Sequence, residues 1–359
     1  MTRHAQADSS SSAGPRPSRS SAEPKPSRSS AEPKPSRSSA GPKPSGRRNG
    51  APSRRGFLRY LGAGAALSAA GTAGCLGSAT ESVGVLSAGS LAQTFEEYVS
   101  PAFEEETGIS VQGEYYGSNA VMRMIEDRTK HPDVVVSADA TLLRDRLRGE
   151  YVDWDVEFAT NVLGIGYNPE TEFGGELDGG EPWYELVQDL GDGDLVISDP
   201  DLDPLGYRAI QAFELAEREH GIDGLKQTVL GKVYREPEEP QMMAGLESGA
   251  RAGAIIYGNM AADHGVPFSA FPPAYNFADP ELADHYATAT YVTDEEGYEA
   301  VGRPILYNAS VLREADAPDA GRRLVRFLLE NPELLVDAGL RVADVLPRAF
   351  GDPPEEVRP

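Results

Sequence analysis

Three aspartates, Asp199, Asp201 and Asp203, alternate through "SDPDLDPLGYR" just ahead of a helical pattern that places Ile210, Phe213 and Ala216 on one face. Free N–H groups at a helix start attract anions, so carboxylates there ordinarily serve as caps. The same position can also present an oxygen ligand to something bound beyond the helix. Three other turns carry small polar residues between a strand-like run and a helical one: Gly89-Ser90, Gly117-Ser118 and Ser137-Ala138-Asp139. A single such serine is most simply an N-cap. Several at equivalent strand ends would bring hydroxyls and backbone N–H groups together as an oxyanion cradle that needs no lysine or arginine.

The elements that must hold these turns repeat along the chain. "VGVLSAGSLAQTFEEYV" predicts a strand over Val83–Leu86, a turn, and a helix carrying Leu91, Phe95 and Val99. Ser100-Pro101 then reads as the N-cap and first position of a further helix. "ISVQGEYYGSNAVMRMIEDR" and "DVVVSADATLLRDRL" repeat the strand–turn–helix theme, which implies parallel strands with ligands beyond their C-terminal ends. A second series follows in "NVLGIGYNP", "DLVISDPDLDPLGYRAIQAFELAE" and "GAIIYGNMAADHG". The fold class expected is therefore α/β with two lobes, each a mainly parallel sheet flanked by helices, and a cleft between them. The C-terminal "AGRRLVRFLLENPELLVDAGL" predicts two helices split at Asn331-Pro332 that return to the first lobe. The expected boundaries are 83–160 and 300–359 for lobe 1 and 161–299 for lobe 2.

Charge separates this globular part from what precedes it. Of 33 basic and 57 acidic residues, the first 74 positions hold 13 and 3, leaving 20 against 54, a net charge of −34, from Cys75 onward. That surface repels nucleic acid and anionic membranes. Concentrated salt would relieve the self-repulsion, since the screening length falls to roughly 3 Å at 1 M, and only Lys130, Lys226 and Lys232 follow residue 75. The pattern reads as halophilic, so acidic runs such as "REPEEP" and "DPPEEV" are first of all solvated surface.

Residues 1–52 form a basic Pro/Ser-rich tract with a nine-residue repeat, which composition marks as disordered. Over 53–75, "SRRGFLRYLGAGAALSAAGTAGC" places Arg54 and Arg55 before an apolar segment too short for a membrane span. It resembles a twin-arginine export signal ending in a lipobox, which implies lipidation at Cys75. Cys75 is also the sole cysteine, so no intramolecular disulfide can form. Residues 76–82 then tether an extracytoplasmic domain to the outer face of the membrane through the lipid alone.

"FATNVLGIGYNPE", "SDPDLDPLGYRA", "GLESGARAGAIIYGNMAADHG" and "GRPILYNASVL", in this order, resemble the archaeal-type tungstate and molybdate-binding lipoproteins of ATP-binding-cassette importers. The resemblance covers nearly all of the chain after the lipobox and implies the type II periplasmic-binding-protein fold. It further implies that Ser90 and Ser118 donate hydrogen bonds to the oxyanion with the backbone at Ala138 assisting, and that Asp203 and Tyr257 line the second lobe. The family's second acidic ligand lies eight residues before the "ESG" glutamate Glu247, at Glu239; Pro240 follows directly, and Glu238 is the alternative. A carboxylate beside a dianion is repelled by about 1 kcal/mol per unit charge pair at 4 Å even in water. Molybdenum and tungsten accept extra oxygen ligands, so Asp203 and Glu239 could bind the metal and complete a six-coordinate sphere. Asp199 and Asp201 keep the simpler reading of turn residues.

The function expected is non-enzymatic capture of tungstate or molybdate for a permease and its ATPase, with no cofactor. A sulfate, phosphate or ferric-iron site is the alternative within binding proteins; a sulfate site leaves Asp203 unexplained, and iron calls for several tyrosines or histidines. A surface hydrolase using Ser118 or Asp203 is the rival from another class, without a G-x-S-x-G elbow to support it. His4, His131, His220, His264 and His285 have no zinc-site spacing. Tyr207 and Arg208 are expected to support the aspartate loop, and Trp154 and Trp183 to pack.

Overall fold

The computed structural model of the chain describes residues 81–237 and 239–359. The repeat tract, Arg54, Arg55, Cys75, most of the tether and Glu238 lie outside the described residues. In chain order the strands are β1 (Ser82–Ala88), β2 (Ser110–Tyr116), β3 (Val134–Ser137), β4 (Trp154–Thr160), β5 (Leu163–Tyr167), β6 (Leu195–Ser198), β7 (Tyr234–Glu236), β8 (Gly253–Tyr257), β9 (Phe268–Ala270), β10 (Thr290–Val292), β11 (Glu299–Val301), β12 (Leu306–Val311) and β13 (Arg348–Gly351). They assemble into a six-stranded sheet, β13-β4-β12-β3-β1-β2, a five-stranded sheet, β7-β6-β8-β5-β9, and a separate β10–β11 hairpin.

Helices flank both sheets, and β3, β4, β5, β6 and β8 are buried along their whole length, as continuous apolar runs such as "DVVVS" and "AIIY" require. The mainly parallel sheets expected from the sequence are instead mixed. β1 is parallel to β2 and β3, and β6 to β7 and β8, but β12 is antiparallel to β3 and β4, β13 to β4, and β5 to β8 and β9. The physical reason lies in the crossings between halves. β5 and β12 are the first strands after each crossing, enter their sheets from the opposite side, and so run against their neighbours.

Both crossings are short and lie side by side. The chain leaves β4 through Asn161 and Val162, returns through Gly302–Ile305, and the Thr160 hydroxyl donates to the Ile305 carbonyl at 2.6 Å. Leu163 N–H and Ile305 N–H donate to the neighbouring carbonyls of Asn276 and Phe277. The C-terminal helices Pro318–Glu330 and Pro332–Asp337 split at Asn331, and the first packs on β1 and β12.

One local expectation is corrected. Ser100 is not an N-cap, because the chain is already helical: a π-helical segment Thr94–Val99 continues directly into the helix Ser100–Thr107, with Ser100 N–H donating to Phe95 O. Pro101 has no N–H to give, and a widened turn just before it tolerates that loss.

Candidate functional site

At the C-terminal ends of β1, β2 and β3 stand the three small-residue turns. Gly89–Leu91 forms a 3₁₀ turn, Ser118 opens the helix Ser118–Glu126, and Asp139 caps the helix Ala140–Leu147 by accepting from Thr141 and Leu142 N–H. From the five-stranded half, Asp203 follows β6 as N-cap of the helix Pro204–His220, Tyr257 closes β8, and Glu239 opens the helix Glu239–Glu247. Ser90, Ser118, Ala138, Asp203, Glu239 and Tyr257 are all buried.

Direct contacts bring five of these six residues together in two neighbouring groups, and Ser90 joins through others. In the first, Ala138 N–H donates to Ser118 Oγ at 3.0 Å, and the Ala138 carbonyl accepts from Arg208 at 3.0 Å. Arg208 also donates to Tyr257 Oη at 2.9 Å and to Asp139 Oδ2 at 3.0 Å, where the Tyr207 hydroxyl donates as well at 2.7 Å. This buried guanidinium therefore joins the two halves, with its charge matched by Asp139. Burial pushes the Tyr257 and Tyr207 phenols well above their ordinary range.

The second group is acidic. Asp203 accepts from Ser198 Oγ at 2.8 Å and from Leu205 N–H at 3.1 Å, and is hydrogen-bonded to the Glu239 carboxyl. Burial raises the affinity of both groups for protons, and the Asp203 charge raises that of Glu239 further. Both carboxyls are therefore harder to ionise than exposed ones, Glu239 the more so. Glu239 Oε2 is buried and accepts from no hydrogen-bond donor among the described residues. That oxygen rests against Gly89, where a Cβ would overlap it, and a Cβ at Gly117 would meet the Leu202 carbonyl and lie 2.9 Å from Asp203 Cβ. Both glycines are needed for close approach across the halves.

Ser90 reaches the centre through partners the sequence did not single out. Its hydroxyl is hydrogen-bonded to Tyr307 Oη at 3.2 Å, and its carbonyl accepts from Asn259 Nδ2 at 2.6 Å. Asn161, on the first crossing, donates to Tyr307 Oη at 3.0 Å and to Asn259 Oδ1 at 2.8 Å. The signal for these residues lay inside "FATNVL", "IYGNM" and "LYNAS", without anything to mark one polar residue above the next. Asp199 is a turn residue, accepting from Asp201 N–H at 3.0 Å. Asp201 does more than turn the chain, since its Oδ1 accepts from Asp294 N–H at 2.7 Å in a distant hairpin. Trp154 and Trp183 are packing residues, 6 % exposed each. Among the described residues no group of three or more His, Cys, Asp or Glu side chains could hold a metal ion, and no helix is long and apolar enough to cross a membrane.

Residues 83–341 match the family model described as bacterial extracellular solute-binding protein. An uncharacterised solute-binding protein of Halobacterium salinarum is 48% identical, across 83% of this chain and 96% of that protein. A putative ABC transporter molybdenum-binding protein of Haloferax volcanii is 34% identical, across 85% and 97%. The molybdate/tungstate-binding protein of Thermococcus kodakarensis is 28% identical, across 80% and 92%. Among solved structures, the periplasmic molybdate-binding protein of Azotobacter vinelandii superposes with a TM-score of 0.54 at 17% identity, covering 73% of this chain and all of that one. The sulfate-binding protein of Mycobacterium tuberculosis also gives 0.54, at 15% identity, covering 74% and 88%. Likeness at that level establishes the two-sheet fold and does not discriminate between oxyanions.

Proposed function

The chain belongs to the bacterial extracellular solute-binding protein family, a family of non-enzymatic carriers, and from that membership we propose that it captures tungstate or molybdate outside the cytoplasm for an ATP-binding-cassette importer. In this reading Ser90 and Ser118 hydroxyls and the backbone at Ala138 hydrogen-bond the oxyanion, Tyr257 lines the site, and Asp203 and Glu239 bind the metal. The protein is exported by the twin-arginine route, lipid-anchored at Cys75, and passes its cargo to a permease driven by an ATPase. The names of the Haloferax and Thermococcus relatives support the cargo class.

The observation that carries the proposal is the buried Asp203–Glu239 pair, with one carboxyl oxygen unpartnered, beside the helix-start turns of the opposite half. Sulfate, which carries no proton near neutral pH, offers a carboxylate only repulsion, whereas a high-valent metal centre gives each carboxylate a bond. Ferric iron fits less well. It favours phenolate ligands, and here Tyr257 is bonded to Arg208, Tyr307 to Asn161, and burial pushes both phenols up.

Calorimetric titration in concentrated salt is expected to give saturable binding of tungstate and molybdate and none of sulfate. X-ray absorption on the bound protein is expected to find more than four oxygen neighbours around the metal. Sulfate binding of equal strength, or a purely tetrahedral shell, would overturn the direct role of the carboxylates.

A further inference from the structure

The β10–β11 hairpin stands outside both sheets, and its position is not explained by the core. Its base belongs to the five-stranded half: β10 packs against the helix Pro204–His220, and the Ala300 carbonyl accepts from buried Gln211 at 2.7 Å. Its tip, "TDEEGY" (residues 293–298), reaches the other half. There Glu295 pairs with Arg123 at 2.7 Å and Glu296 with Arg146 at 2.7 Å and Arg123 at 3.6 Å. Tyr298 packs among the apolar residues under those helices, and its hydroxyl donates to Asp145 at 3.3 Å. Both arginines lie on the helices that start at Ser118 and Ala140.

The same tip also grips the loop that carries Asp203. Asp294 N–H donates to Asp201 Oδ1 at 2.7 Å, and Arg123 donates to the Asp201 carbonyl at 3.3 Å. Asp201 is two residues from Asp203, so one cluster fixes the aspartate loop, the hairpin and both arginine-bearing helices at once.

From this arrangement we infer that Asp201, Glu295 and Glu296 are positioning residues for capture: the acidic hairpin tip straps the Asp203 loop to Arg123 and Arg146 and sets how long the halves stay together over the bound oxyanion. The inference rests on the proposed oxyanion capture for its ligand, and on the contacts above for its geometry. Glu296, Arg146 and Arg123 are 25, 16 and 22% exposed at the side chain, against 62% for Glu295. The Glu296 pairs are therefore the less screened by salt and carry more of the effect.

The test compares the full-length wild type with Glu295→Gln/Glu296→Gln, following sodium tungstate binding by stopped-flow fluorescence. Contacts made only after the halves meet act on escape, so dissociation is expected to quicken roughly tenfold while association stays within about twofold. Glu296→Gln alone should account for most of that change, and a cycle with Arg146→Gln should be non-additive. A dissociation rate equal to wild type, or equal changes in both rates, overturns the strap. Small-angle scattering of the unliganded proteins separates this from the cargo assignment. If wild type takes up no tungstate yet the double variant has the larger radius of gyration, the strap stands and the cargo assignment falls. An unchanged radius in that case overturns the strap as well.

Discussion

Two buried charge clusters meet where the halves join, and they are built on opposite principles. Around Arg208, the donors and acceptors find partners: Ala138, Asp139 and Tyr257 take its N–H groups, and Tyr207 completes Asp139. Around Asp203 and Glu239, two buried acids lie together with no cation bonded to them among the described residues, burial raises the proton affinity of both, and Glu239 Oε2 has no hydrogen-bond donor there. Both clusters bear the cost of removing charge from water, but the first is repaid within the chain. Under the proposed function, the difference separates a group that builds the protein from a group kept for the oxyanion.

The largest expected effect breaks the first cluster. Arg208→Met leaves Asp139 buried without its cation, and unfolding in denaturant should show a loss of about 3–5 kcal/mol. The second cluster should respond in the opposite sense. Asp203→Asn removes the repulsion, so the unliganded protein should be as stable as wild type or more so, while tungstate affinity by calorimetry should drop about a hundredfold, roughly 2.7 kcal/mol. Simple electrostatics gives the reverse, equal or tighter binding. Glu239→Gln should follow Asp203→Asn, with Glu238→Gln as the control, and parallel losses of stability in Arg208 and Asp203 variants would erase the comparison.

The smallest effect comes from an acid that belongs to neither cluster. Burial, with the charge of Glu97 adding to it and that of His264 opposing, pushes the Asp263 carboxyl up to about 7. The folded state then holds a proton that the unfolded chain has released, so unfolding is favoured as pH rises from about 4 through 7. The melting temperature of the unliganded protein should fall by a few degrees at most over that window and level off above it. Asp263→Asn should flatten the profile.

How far these clusters could be read from sequence depended on the range of their contacts. The strand–turn–helix rhythm located Ser90, Ser118, Ala138 and Asp203 because each sits at the junction of two periodic segments. Sheet orientation was not legible, since nothing local in β5 or β12 records from which side the chain arrives. Glu239 lies in "REPEEP", where only the count back from Glu247 distinguished it from solvated acid; the structure leaves it 8% exposed. Asn259 and Tyr307 meet Ser90 across 169 and 217 residues, and Asp294 meets Asp201 across 93. No pattern within a window of ordinary length encodes such a meeting.

The paired crossings bear on how the molecule can move. A single linker behaves like a ball joint, free to swing and twist, whereas two ribbons fixed side by side act like the pins of a door. Asn161–Val162 and Gly302–Ile305 are tied by the Thr160–Ile305 hydrogen bond and rest on the adjacent carbonyls of Asn276 and Phe277. Twisting would have to break those bonds, while rotation about the line through them would not. Under the proposed function, closure would then follow a single arc and bring the Ser90 and Ser118 turns toward Asp203 and Glu239 in one orientation.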